Sequence, residues 1–252
     1  MPELNEQTCL ITGAASGIGA ATARMLAARA IGGLILIDRD KAALAALELP
    51  CRTKRLIGDV ADEALWARVE AEAGPFNLAL LNAGIADAAA LDEIEFAAWR
   101  RVLSVNLDGL LLSLRCAMRT MRDSGGAIVI TGSAGGIKPE PGTAAYGASK
   151  AAAHHLARVA AKEGAPHGIR VNAIAPGGVD TAIWNRVPFF QDLCARHGGD
   201  RAAAISEMGA VATPLGRYAS ASEIAGQIGF LLSDDAATIT GAVLVSDGGY
   251  SV

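Results

Sequence analysis

The sequence predicts one doubly wound α/β domain, a seven-stranded parallel sheet flanked by helices on both faces. Three observations predict it. Short apolar runs alternate with longer helical stretches along the whole chain. Most of the runs are continuously apolar rather than alternating, as in strands covered on both faces. A glycine-rich turn follows the first of them. Alternation at this spacing implies right-handed crossovers between parallel strands. In such sheets ligands bind beyond the carboxyl ends of the strands, and those ends are where the polar residues of this chain collect.

The strand runs are "TCLIT" (8–12), "GLILID" (33–38), "TKRLI" (53–57), "LALLN" (78–82), "AIVIT" (127–131), "RVNAI" (170–174) and "AVLVS" (242–246). Helical patterns such as "GIGAATARMLAARA" and "ADEALWARVEAEAG" lie between them. Residues 177 to 218 break the rhythm: no strand is expected there, and glycine, proline and large apolar groups mix. A connection that long suits a functional loop, so the whole chain, 1–252, is expected to be one domain with a substrate-binding loop at about 178–218.

Composition narrows the function classes. The 252 residues suffice for one large core, and with 52% hydrophobic but only 4% aromatic residues that core is built from Ala, Leu, Ile and Val. A net charge of −4 and the lack of a basic run argue against nucleic acid or an anionic membrane as partner. Cys9, Cys51, Cys116 and Cys194 are scattered without CxxC spacing, which suits a reduced, cytoplasmic protein with incidental thiols. The N-terminus "MPELNEQTCLITG" lacks the pattern of a signal peptide, and no apolar run reaches the roughly 18 residues of a membrane span. His154 and His155 have no cysteine or carboxylate at metal-ligand spacing and are expected on a helix surface, and His197 stands alone in the long loop; no metal site is expected.

"TGAASGIG" (12–19) joins the first strand to a helix. Gly13 suits the tight turn, Gly17 lets a pyrophosphate approach the backbone and Gly19 lets helix and strand pack closely, with Ser16 and Ile18 between them. The free N–H groups of the helix start then face the anion. Asp38 ends the second strand 19 residues after Gly19, near the distance of a ribose-binding carboxylate. A carboxylate there accepts from an adenosine 2′-hydroxyl and repels a 2′-phosphate, which favours NAD; Arg39 beside it pulls toward the phosphate. The alternative role for Asp38 is to cap the helix of "RDKAALAAL". "GDV" (58–60) places Asp59 and Val60 near an adenine, and "NAG" (82–84) places Asn82, Ala83 and Gly84 under a cofactor ribose.

Taken with "SVNLDG", Ser133 in "ITGSAGG", "YGASK", "PGGVDT" and a terminal "SDGG", these motifs make the chain resemble the short-chain dehydrogenase/reductase family, of the type with about 250 residues and a Rossmann-like fold. The likeness runs nearly end to end. It implies catalytic roles for Asn106, Ser133, Tyr146 and Lys150. Ser133 is expected to orient the substrate oxygen, Tyr146 to exchange its proton, Lys150 to hold the nicotinamide ribose, and Asn106 to place a proton-relaying water. Pro176, Gly177 and Val179 would line the nicotinamide, and Thr181 would reach its carboxamide or the pyrophosphate. Leu81 departs from the second asparagine many members carry before "NAG", with no loss of activity expected.

Tyr146 and Lys150 lie one helical turn apart, about 5–6 Å. At an effective dielectric of about 20, an ammonium at that distance stabilises a phenolate by roughly 3 kcal/mol, equivalent to about two units of pKa depression. Trp184, Val187, Phe189 and Phe190 are expected as an apolar cover over substrate, or else as packing or subunit contacts. The expected activity is NAD-dependent interconversion of a secondary alcohol, hydrophobic or alicyclic, with its ketone. The alternatives are an NADP-dependent ketoreductase of the acyl-carrier type and a non-catalytic dinucleotide-sensing scaffold. The resemblance also implies a homotetramer, or a homodimer, through "LDGLLLSLRCAM" and "AAAHHLARVAAKEGA".

Overall fold

The computed structural model describes residues 4–252 apart from the side chains of Arg186 and Pro188; Met1 to Glu3 of the N-terminal stretch lie outside the described residues. The sheet is built from β1 (Thr8–Thr12), β2 (Gly33–Asp38), β3 (Arg52–Ile57), β4 (Leu78–Leu81), β5 (Gly126–Thr131), β6 (Ile169–Pro176) and, after two short strands, a last strand at Val243–Ser246. All pairings are parallel, in the order β3-β2-β1-β4-β5-β6 and then the last strand. The order reverses between β1 and β4, where a doubly wound sheet opens a crevice.

Why the runs are continuously apolar is visible in the two core layers. Leu10, Ile35, Ile37, Ala79, Leu81, Ile128 and Ile130 point to one face; Cys9, Ile11, Leu34, Leu36, Leu78, Leu80, Ala127 and Val129 point to the other. Successive side chains of a strand take opposite faces, so burial on both sides requires every position to be apolar. The first face is covered by α3 (Glu63–Glu72), α5 (Gly109–Thr120) and α6 (Ala144–Gly164), which contribute Trp66, Leu112 and Ala157. The second is covered by α1 (Gly17–Ala28) and Ala221–Leu232, with Leu44 from the short α2 (Lys41–Ala45). Between α3 and α5, α4 (Phe96–Leu103) runs into a π-helical turn, Ser104–Asp108.

The segment after β6 departs from the strandless loop expected of it. Two-residue strands, β7 (Val179–Asp180) and β8 (Ala219–Ser220), pair at its two ends, and α7 (Pro188–Arg196) and α8 (Arg201–Ala212) fill the span. The two helices carry a small core of their own: Phe190, Leu193, Ala204, Ile205 and Met208. The helix that follows β8 is α9 (Ala221–Leu232), and the last strand is β9 (Val243–Ser246). Among the described residues no helix is long and apolar enough to cross a membrane.

Candidate active site

The turn from β1 into α1 is shaped by close approach. Gly13 has φ +63°, and a Cβ on it would stand 2.9 Å from Ala83 Cα; a Cβ on Gly19 would stand 2.1 Å from the Gly13 carbonyl oxygen. No side chain fits at either position without moving backbone. Ser16 occupies the cap position of α1 in extended conformation and makes no side-chain cap hydrogen bond, so the first-turn N–H groups point outward with a partial positive charge. Asp38, half-buried, is tied to this turn: Oδ2 accepts from Ala15 N–H at 2.9 Å and Oδ1 from Asp40 N–H at 3.0 Å. The cap of α2 is Asp40, which accepts from Ala43 N–H, so Asp38 does not serve as that cap. Arg39 is exposed beside it.

The neighbouring strand ends are laced together. Asn82 Nδ2 donates to the carbonyls of Thr12 and Gly13, its Oδ1 accepts from Thr131 Oγ1, and Asn82 and Ala83 N–H both donate to Thr12 Oγ1. The Asn82 side chain is thus a brace across β1, β4 and β5. Asp59 is exposed and accepts from Ala61 N–H, whereas the Val60 side chain lies in the core and its carbonyl accepts from Trp66 Nε1.

On α6, Tyr146, Lys150 and His154 follow one another at four-residue intervals and therefore share a face. Lys150 is 6% exposed; its Nζ donates to Thr131 O at 2.8 Å and lies 5.7 Å from the Tyr146 ring centroid. Burial pulls the Lys150 ammonium down to about 8. Burial also pushes the Tyr146 hydroxyl above its ordinary value, and the hydrogen bond with Ser133 only partly opposes this. The expected depression of Tyr146 by Lys150 is therefore overturned. Desolvation acts against both charged forms and outweighs the pairwise attraction, and the ammonium is turned toward the Thr131 carbonyl.

Ser133 is buried just past β5, where its Oγ accepts from Gly135 N–H at 3.1 Å. Asn106 sits in the π-helical turn, a local widening common at functional sites. Its Oδ1 accepts from Ile85 N–H at 2.8 Å, and its Nδ2 donates to Ile85 O at 2.9 Å and to Ser149 Oγ at 3.0 Å. Ser149 Oγ in turn donates to Tyr146 O. Gly84 keeps space between these groups: a Cβ there would lie 3.3 Å from Asn106 Oδ1 and 3.4 Å from Lys150 Nζ. The four residues expected to carry the chemistry thus converge at the ends of β4 and β5 and on α6.

The family model described as "Enoyl-(Acyl carrier protein) reductase" matches residues 13–251. The chain belongs to the short-chain dehydrogenase/reductase family. It is 40% identical to cis-4-hydroxycyclohexanecarboxylate dehydrogenase of Sinomonas cyclohexanicum, over 98% of this chain and 97% of that one. It is 41% identical to galactitol 2-dehydrogenase (L-tagatose-forming) of Cereibacter sphaeroides, over 96% and 94%. The crystal structure of L-sorbose reductase from Gluconobacter frateurii, complexed with NADPH and L-sorbose, superposes with a TM-score of 0.89 at 26% identity, covering 98% of this chain and 97% of that one.

Members of the short-chain dehydrogenase/reductase family use nicotinamide dinucleotides, and the residues here fit one: the uncapped start of α1 offers donors to a pyrophosphate, and the Gly13–Gly19 contact leaves its backbone bare. Pro176 ends β6, and Thr181 stands over the turn, 3.3 Å from where a Gly17 Cβ would be. Gly177 packs on Asp247, and Val179 is buried with its carbonyl accepting from Trp184 Nε1. Trp184 stacks on Tyr218 at 5.7 Å and packs against Phe189 and Phe190. Phe190 is buried in the core of α7 and α8, while Phe189 is exposed. His197 pairs with Glu207 of α8. Among the described residues no cluster of three or more His, Cys, Asp or Glu is placed to hold a metal ion.

Sequence reasoning missed Thr12 and Thr131, whose signal was a threonine at a strand end, and Tyr218, which packs where a Gly178 Cβ would be and carries no local signal in "PLGRYAS". It also misplaced His154. His155 is exposed as expected, but His154 is 4% exposed, because its four-residue spacing from Lys150 puts it on the buried face.

Lys150 titrates at about 8 in the folded chain against an ordinary value of 10.5. The folded state therefore releases this proton first, and the charge costs stability below pH 8. That cost is relieved as pH rises from about 8 to about 10.5 and amounts to on the order of 3 kcal/mol. Replacing Lys150 with Met is expected to raise the melting temperature at pH 7, with the difference from the unmodified protein shrinking by pH 10. A lower melting temperature at pH 7 would contradict the burial cost.

Proposed function

We propose that the protein is an NAD-dependent dehydrogenase that interconverts a secondary alcohol on an alicyclic ring with its ketone, Tyr146 serving as general acid and base. The observation that carries this is the convergence of three side chains: Ser133 Oγ and the Tyr146 ring stand together over Gly135, and the Lys150 ammonium lies 5.7 Å from the centroid of that ring. The 40% identical relative named for a cyclohexane alcohol supports the alicyclic substrate, as does the apolar cluster of Trp184, Phe189 and Phe190. A second reading, an open-chain polyol, is favoured by the galactitol relative.

Gly13, Ser16, Gly17, Ile18 and Gly19 would hold the cofactor's pyrophosphate, Asp38 and Arg39 its adenosine ribose, and Asp59 and Val60 its adenine. Asn82, Ala83, Gly84 and Lys150 would hold the nicotinamide ribose, and Pro176, Gly177, Val179 and Thr181 the nicotinamide. The bound oxidised nicotinamide supplies the hydride acceptor. Ser133 Oγ holds the substrate hydroxyl beside the Tyr146 oxygen, and an ionised Tyr146 takes its proton as the C–H bond is broken. The Lys150 cation stabilises that phenolate, and Asn106, anchored on Ile85, positions water for proton return to Lys150. In the reverse direction the protonated phenol donates to the ketone oxygen. The protein assembles as a homotetramer, or a homodimer, through α5 and α6, where Leu111 and Val159 stand exposed.

Turnover is tested with NAD+ and a panel of cis-4-hydroxycyclohexanecarboxylate, cyclohexanol and galactitol, read from the absorbance of reduced nicotinamide. The cyclohexane alcohols are expected to be oxidised fastest. Tyr146→Phe is expected to lower kcat by about a thousandfold while leaving NADH binding nearly unchanged; turnover at the original rate would remove Tyr146 from the chemistry.

Cofactor choice gives a separate test. NAD(H) is expected to bind more tightly than NADP(H), and Asp38→Ala to weaken NAD(H) by about tenfold, the order of one hydrogen bond to a carboxylate. Tighter binding of NADP(H) by the unmodified protein, in fluorescence titration, would overturn the role of Asp38.

A further inference from the structure

His154 is buried, lies beyond the four residues of the proposed chemistry, and has a specific partner. Its Nε2 is 3.3 Å from the Ser133 backbone nitrogen, whose N–H donates to it. The reason the bond is needed lies in the sheet. The last register pair of β5 and β6 is Thr131 with Ile174, and Gly132 N–H still reaches the Ile174 carbonyl at 2.7 Å. One residue further, Ser133 N–H has left the ladder inside the protein, where an unpaired donor is costly. The imidazole supplies the acceptor.

The ring has a fitted seat. A Cβ on Gly132 would stand 2.2 Å from His154 Nε2, and one on Gly136 would stand 3.0 Å from its Cε1. Two glycines that flank Ser133 thus make room for this side chain. Its surroundings keep it an acceptor: burial first, then the nearby Lys150 and Arg158 cations, hold His154 down to about 4. At neutral pH the imidazole is uncharged, its proton is on Nδ1 and its Nε2 lone pair is free to accept.

We propose that His154 is a positioning residue for turnover: by holding the Ser133 backbone through Nε2, it fixes the Ser133 hydroxyl against Tyr146 on the same face of α6. This rests on the reading that Ser133 holds the substrate oxygen. With Gly135 N–H on its Oγ and His154 on its N–H, Ser133 is fixed at two points. Freeing one lets the hydroxyl drift from the reacting oxygen, and small displacements of that kind are costly to rate.

The test uses the full chain with NAD+ and the best alcohol of the panel. His154→Leu fills the space without an acceptor and is expected to lower kcat by about tenfold or more, while NADH affinity stays within about twofold of the unmodified protein. His154→Gln, whose Oε1 can take the place of Nε2, is expected to recover kcat to within about threefold. If the leucine variant fails to fold, His154→Met, which repacks irregular space without a strong acceptor, carries the same expectation. Ser133→Ala is measured alongside. If Ser133→Ala is strongly impaired but the leucine or methionine variant keeps its kcat, or glutamine is as slow as they are, the positioning role is overturned and the Ser133 reading stands. If Ser133→Ala turns over unimpaired, the Ser133 reading falls and the role of His154 with it.

Discussion

Everything at this site depends on one face of α6 being pressed against the end of β5. That face carries a phenol, an ammonium and an imidazole at one-turn intervals, where a helix covering a sheet would ordinarily carry aliphatic groups. The rest of the helix makes the approach possible by being small: Ala145, Ala153 and Ala157 are buried almost completely. Close packing excludes water, and exclusion of water acts on all three titratable groups in the direction of neutrality: Lys150 and His154 move down, Tyr146 moves up. The face is therefore costly to fold, and a site whose groups sit away from their comfortable ionisation states is a common accompaniment of proton chemistry.

The second half of the site is made of backbone. The glycine turn, the strand ends and the uncapped start of α1 offer N–H groups and empty space rather than side chains. What joins the halves is a small polar brace. Thr12 at the end of β1, Asn82 after β4 and Thr131 at the end of β5 bond to one another, and the Thr131 carbonyl takes the Lys150 ammonium. A shift of the glycine turn is thus felt at Lys150 through two side chains and one strand end. The π-helical turn adds a second tether, from Ile85 through Asn106 and Ser149 to the backbone of Tyr146.

How legible this was in the sequence follows from the physics of each part. The inner strands could be read because burial on both faces forces continuous apolar runs, and each of the seven strands of the main sheet falls within two residues of its expected span. The positions of Ser133, Tyr146, Lys150 and Asn106 came from the resemblance to the short-chain dehydrogenase/reductase family, and the fold turns those motif positions into proximity. The segment after β6 was not legible as structure. Strands of two residues are shorter than any periodic signal, and α7 and α8 bury only a small cluster of their own. Metal-ligand spacing does not locate His154; its distance of eight residues from Tyr146 does, and puts it on the buried face. The acidity of Tyr146 went wrong for a different reason: pairwise attraction can be estimated from spacing, but desolvation depends on what packs above the helix, and that is written elsewhere in the chain.

Burial keeps the Tyr146 phenol protonated through the neutral range, so that the proton-carrying form is fully populated there and the proton-accepting phenolate is scarce. The pH dependence of kcat/KM in both directions tests it most directly, measured from pH 6 to 10 with one alcohol and NAD+ and with the matching ketone and NADH. Ketone reduction should be nearly level from pH 6 to 8, and alcohol oxidation should climb with pH across the same range and beyond, by up to about tenfold per unit. Oxidation that is already level at pH 7, together with reduction that falls from pH 7 upward, would mean that the phenol ionises readily and that the neighbouring cation, not burial, sets its state.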